Sequence, residues 1–154
     1  MRRLQRLGRL QRFLETMRLD GWPELRPVMV VSAGDATKHL GGGVVGPQLL
    51  AAFPEESQSG DVDSRVSRIS TVLFVLDKDL ESARTVELER GQYARLLEMA
   101  DAVVSAVESA LTEPLFPGCT CPPLAGLDLV SVDVVPELSL FGGWNGYSIE
   151  MVFS

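Results

Sequence analysis

From Val86 to Leu111 the apolar side chains Tyr93, Leu96, Leu97, Ala100, Val103, Val104, Val107 and Leu111 return at three- and four-residue steps. Residues three and four apart share one face of an α-helix, so this spacing predicts a long helix with a single apolar stripe. Its other side carries Gln92, Arg95, Glu98, Asp101, Ser105, Glu108 and Ser109, which suits solvent or a partner. Glu113-Pro114 ends the helix, because the residue before a proline is pushed out of the helical region. A one-sided helix of this length has to be covered, and the natural cover is a sheet.

The strands for such a sheet are readable on both sides of it. In "RISTVLFVLDKD", Ile69, Val72, Leu73, Phe74, Val75 and Leu76 form a β-prone run that fits a central strand. "GLDLVSVDVV" alternates Leu129, Ser131 and Asp133 with Val130, Val132 and Val134 and predicts another strand. "PELSLFGGWNG" is expected to reverse the chain, with Asn145-Gly146 as a tight turn because both residues tolerate positive φ. Then Tyr147, Ile149, Met151 and Phe153 fall on one face at the period of a pleated strand, opposite Ser148, Glu150 and Ser154, with Val152 as the exception. These last two strands are expected to pair as an antiparallel hairpin, because a strand so placed is ordered only when a neighbour ties it down.

Upstream, Leu4, Leu7, Leu10, Phe13, Leu14 and Met17 predict a helix over about 3–19, stopped by Asp20-Gly21 and Pro23. "RPVMVVSAGD" supplies a first strand at Val28–Val31, closed by a turn signal. From Ala33 to Asp63 the stretches "GDATKHLGGGVVGPQ" and "FPEESQSGDVDS" are expected to be loops, with Val44, Val45, Leu49, Leu50 and Phe53 enough for a brief strand or turn of helix. A connection this long in a compact domain usually binds something, here a surface that orders against a neighbour. The expected fold is one α+β domain over 1–154. An antiparallel or mixed sheet of about four to five strands has the basic N-terminal helix and the long helix packed on one face.

Charge is unevenly divided. Residues 1–18 hold six arginines and one acid, which makes them +5 and leaves −12 for the rest of a chain of net charge −7. Opposite poles favour head-to-tail contact between copies or contact with an acidic partner, since complementary potentials steer association and fix orientation. The arm also reads as an ordinary solvated amphipathic helix. A hydrophobic fraction of 45% with 6% aromatic residues fits a folded domain, and no apolar run approaches the roughly 20 residues that cross a bilayer. Arginines recurring through the first helix argue against a secretory signal and for a cytoplasmic product.

The chemistry-bearing residues do not assemble into a catalytic pattern. Cys119 and Cys121 form Cys-Thr-Cys in a proline-rich loop, which matches neither paired Cys-x-x-Cys zinc groups nor a disulfide framework. His39, the one histidine, has no Ser-His-Asp or Cys-His ordering around it. "GGGVVG" at Gly41–Gly46 lacks the Lys-Ser/Thr of a phosphate loop. Asp77 and Asp79 flank Lys78 at a strand end without a third ligand at metal spacing, so a solvated turn is expected there. The acidic body has no basic groove with interleaved aromatics for nucleic acid. Trp22 and Trp144, each beside glycine, read as core or loop anchors or as interface aromatics. No cofactor, metal or enzymatic activity is expected.

The order of elements resembles the tail terminator or tail completion (neck) proteins of long-tailed bacteriophages. The likeness is carried by the amphipathic opening helix, the "STVLFVLDKD" strand, the "YARLLEMADAVVSAVESAL" helix behind it and the "LVSVDVV" and "NGYSIEMVFS" strands. It covers most of the chain, although Ala33 to Asp63 has no counterpart. The resemblance implies a homohexameric ring, made in the host cytoplasm and built into the virion. Such a ring caps the tail tube, joins it to head-side neck or connector proteins, and lets DNA through its bore without specific binding. Contacts between copies or with those partners are then expected at Arg2, Arg3, Arg6, Arg9, Arg12, Trp22, His39, Asp77, Asp79, Glu98 and Trp144. A head-side completion or adaptor protein of the same particle is the competing expectation, and a small ligand-binding or enzymatic domain the more distant one.

Overall fold

The computed structural model describes residues 3–79, 85–114, 118 and 121–154, excluding the side chains of Arg3 and Leu4. Arg2 and Cys119 therefore lie outside the described residues. The elements in chain order are α1 (Arg3–Thr16), β1 (Pro27–Val30), α2 (Ala33–Leu40), β2 (Gln48–Ala52), β3 (Glu55–Ser59), β4 (Val66–Lys78), α3 (Val86–Thr112), β5 (Leu129–Leu140) and β6 (Trp144–Phe153).

Helix α3 begins where Thr85 accepts a hydrogen bond from the Leu88 amide (3.1 Å), with Glu87 and Glu89 in the first turn where the helix dipole favours acids. Its buried face holds Gln92, Leu96, Met99, Ala100, Val103, Val107 and Ala110. The stripe is thus turned slightly from its expected phase: Leu97 is 42% exposed, Val104 is half-buried, and Gln92, expected on the wet side, is buried. Helix α1 lies in the same layer through Leu10, Leu14 and Met17. It stops three residues sooner than expected, at Thr16, and the chain then turns through Gly21 at φ +90° into a bridge between Leu19 and Trp22.

The sheet is six-stranded and mixed, in the order β1-β2-β4-β6-β5, with β3 also paired to β4. β1 runs parallel to β2, and every other pair is antiparallel. β2 and β3 lie on one edge of β4, β2 against Leu73–Leu76 and β3 against Val66–Ser70, so Phe53-Pro54 is a bend in a nearly continuous rail. The inner face, with Leu49, Ala51, Leu73, Val75, Ile149, Met151 and Phe153, packs on α1 and α3 as the main core. This is the α+β class that the pattern implied, and β5 and β6 form the expected antiparallel hairpin.

Two expectations are corrected. The two stretches expected as loops contain α2 and β3, while β2 is the brief strand allowed for between them. The Ser32 hydroxyl accepts from the Asp35 amide and the Asp35 carboxylate accepts from the Val31 amide, both at 3.1 Å, so a motif that reads as a turn is a reciprocal helix cap. Helix α2 then covers part of the outer sheet face, where Ala36 and Leu40 meet Val30, Leu50, Leu76 and Trp144, and Phe74 meets Phe141 edge-on at 5.1 Å. Helices therefore occupy both faces rather than one.

The second correction concerns "PELSLFGGWNG". Pro136–Leu140 continue β5, the reversal falls at Phe141–Gly143, and Asn145-Gly146 belong to β6. Gly146 is there for closeness, since a Cβ on it would come 1.9 Å from the Val75 carbonyl oxygen of β4. Asn145 is buried and hydrogen-bonded, as described below.

Candidate functional site

Three surface features stand out from this frame. The first is strand β5, which pairs with β6 on one side and leaves its other backbone edge open among the described residues. Its side chains are unusually wet for their type: Val130, Val134, Val135 and Leu138 are 49%, 39%, 44% and 57% exposed. Pro136 sits in this strand, which an edge tolerates because no ladder donor is needed there. Asp133 lies directly opposite Glu150 of β6, and both are exposed, so two like charges face each other on the outer surface. Beside the strand, Val86, Arg90, Leu97, Pro136 and Tyr147 border a shallow hollow of about 570 Å³.

The second feature is a polar cluster that fixes the end of this edge. The Gln92 amide donates to the Lys78 carbonyl (2.8 Å), and the Asn145 amide donates to Gln92 Oε1 (3.2 Å). Asn145 Oδ1 accepts from the Ser139 backbone amide (2.9 Å). Ser139 Oγ in turn donates to Asp79 Oδ2 (3.2 Å), while the Asp79 amide donates to the Gly143 carbonyl (2.8 Å). Ser139 and Phe141 take positive φ, +51° and +50°, which costs about 1 kcal/mol or more each and persists because these bonds determine the turn. The cluster joins α3, β4, β5 and β6, and its geometry is that of a brace.

The third feature is a groove of about 930 Å³ between α1 and the C-terminal half of α3. Arg9, Arg12 and Arg18 stand on one wall, small residues including Ala102, Ser105, Ala106 and Ser109 form the other, and Asp20 and Glu113 also line it.

The residues expected at contacts are scattered over the molecule, and only some of them fall in these features. Arg12 is exposed in the groove, while Arg9 is half-buried there and donates to the Ala125 carbonyl at 2.7 Å. Arg6 is half-buried with its Nε enclosed and without a hydrogen-bond partner among the described residues; Arg3 is placed by its backbone alone. Trp22 packs half-buried on the main core. Trp144 is 4% exposed inside the outer-face cluster, so it is an anchor of the core and offers no free surface. His39 is half-buried on α2, with Nε2 enclosed and unpartnered among the described residues. Asp77 accepts from the Lys78 amide (2.8 Å), Asp79 belongs to the brace, and Glu98 is exposed on α3. Sequence reasoning missed the β5 edge and the groove. The valines of β5 read in the sequence simply as strand formers, and which side of a strand stays open is decided by pairing far along the chain.

Among the described residues no three His, Cys, Asp or Glu side chains gather as a metal site, and no helix is long and apolar enough to cross a membrane. No protein-family model matches the chain, and no curated protein matches it significantly.

Proposed function

We propose that this chain is a structural component of a tailed-bacteriophage neck, a terminator whose copies form a ring that caps the tail tube and meets the head-side connector. The observation that carries the proposal is the open β5 edge with its four exposed apolar side chains. A long strand edge with no partner strand among the described residues and with wet valines is a hazard for an isolated protein and a ready surface for one built into an assembly. The brace around Asn145 holds that edge in one shape, as a docking surface requires. Support also comes from the order of elements, which resembles that of neck proteins, and from the division of charge between a basic first helix and an acidic body. Unlike patches suit a heterologous contact, the kind that closes into rings. Acids such as Asp133 and Glu150 on the outer face suit a wall along which DNA slides without sticking.

The test is native mass spectrometry of the purified protein, followed by electron microscopy after mixing with tail tubes. A ring of six seated on tube ends is expected. A ring of twelve on the portal would make the chain a head-side adaptor instead, and a monomer that binds no virion component would end both readings.

A further inference from the structure

The β3–β4 hairpin extends past the rest of the sheet. β6 accompanies β4 only as far as Ile69, opposite Phe153, so Ser57–Ser67 form a two-stranded ribbon with no third strand among the described residues and little burial on either face. Such a ribbon is marginal in water unless something covers it. Yet this one is built. The Ser64 amide donates to the Asp61 carbonyl (3.1 Å), Ser67 donates to Glu56 (2.8 Å) and Arg65 to Gln58 (3.3 Å). Gly60 holds φ +97° where a Cβ would lie 2.6 Å from the Ser64 carbonyl oxygen. The tip presents Val62, 84% exposed, between Asp61 and Asp63, while Arg65, the one base of the ribbon, turns back to Gln58.

We propose that the tip of this ribbon seats in the groove between α1 and α3 of a second copy of the chain, with Asp61 and Asp63 meeting Arg12 and Arg18 and Val62 lying over the small side chains of α3. The contact rests on the reading that copies assemble with one another, and it supplies the unlike patches that reading needs. The groove wall has room for a hairpin tip: Ala102 to Thr112 of α3 spans about 15 Å at 1.5 Å per residue, against about 5 Å between the two paired strands of a ribbon. Charges agree too. Arg12 has no ionic partner among the described residues, and Arg18 donates only to the backbone carbonyl of Thr16 (3.3 Å). Ala102, Ser105, Ala106 and Ser109 let a neighbouring backbone come close without a side chain in the way. None of the ribbon's residues lines the groove of its own chain, so the two surfaces are free to meet in different copies.

Charge exchange tests this directly. One variant carries Arg12→Asp and Arg18→Asp, the other Asp61→Arg and Asp63→Arg, all at exposed positions, and unchanged thermal midpoints verify folding. Each variant alone pairs like with like at every contact, so its self-association is expected to fall at least about tenfold in native mass spectrometry. An equimolar mixture restores opposite charges at every contact and is expected to assemble into alternating complexes. A second measurement joins Val62→Cys to Ser109→Cys of another copy in a chain carrying Cys119→Ser and Cys121→Ser; an intermolecular disulfide is expected under mild oxidation. Wild-type rings whose charge variants assemble just as well, or whose variants fail even when mixed, would overturn the contact and leave the ring. A wild type that stays monomeric at high concentration would overturn both.

Discussion

At the scale of single residues, Asn145-Gly146 reads as a tight turn in the sequence and lies inside strand β6 in the structure. Both residues have the properties that favour turns, but here those properties serve a crowded strand: Gly146 admits the backbone of β4, and Asn145 satisfies groups from two other elements. Short-range rules see the residue types and cannot see which distant carbonyl approaches them. Gln92 was misplaced for the same reason, because a polar side chain at a buried position looks exposed until its partners, Lys78 and Asn145, are known. Replacing Gln92 by Ala leaves the Asn145 amide buried and unpaired, an expected loss of about 1–3 kcal/mol in chemical denaturation. Combining Gln92→Ala with Asn145→Ala is expected to cost clearly less than the sum of the single changes, with a coupling of about 0.5–3 kcal/mol. Strict additivity would dissolve the brace. The arginines also divide at this scale: Arg9 is held by the Ala125 carbonyl, whereas Arg12 is exposed and has no ionic partner among the described residues, so the two are not equivalent members of one basic arm.

At the scale of elements, what was legible was whatever carries its own period. Helix α3 and strand β6 repeat apolar residues at 3.6 and 2.0, β4 is a continuous β-prone run, and all three lie within a few residues of where the pattern puts them. Helix α2 and strand β3 were not legible, since eight residues with three glycines after them, and five polar residues in a row, have little periodicity to read. Those elements owe their existence to caps and to pairing with β4 and not to an apolar stripe. The phase of α3 was legible only approximately, because Leu97 and Val104 border the stripe and either edge fits the pattern. Aspartate substitution distinguishes the edges. Val103→Asp puts a charge where exposure is 0% and is expected to cost more than about 3 kcal/mol, whereas Leu97→Asp is expected to stay within about 0.5 kcal/mol. Matched thermal midpoints for the two variants would contradict the packing described for α3.

At the scale of the whole molecule, the chain keeps its main core on one side of its sheet and a smaller one on the other, and places unlike surfaces around the rim: an apolar edge at β5, an arginine-bearing groove at α1 and α3, and a ribbon with an acidic tip at β3–β4. The ring reading and the ribbon contact make opposite demands on solvent. Apolar burial of β5 on assembly would not weaken with added salt, while the proposed contact of Asp61 and Asp63 with Arg12 and Arg18 would, as the screening length falls from about 10 Å at 0.1 M salt to about 3 Å at 1 M. Ring dissociation measured by sedimentation is therefore expected to increase as salt is raised over that range, and to lose that dependence in the Arg12→Asp, Arg18→Asp variant. A salt-independent wild type would place its adhesion in apolar contacts alone. The position of β6 has a further consequence. It follows every other described strand in sequence and yet lies between β4 and β5, so a nascent chain leaving the ribosome carries two strands that have no middle until residues 144–153 emerge. The order of synthesis thus withholds the sheet's continuity: β4 and β5 are joined into one surface only when β6 is laid between them.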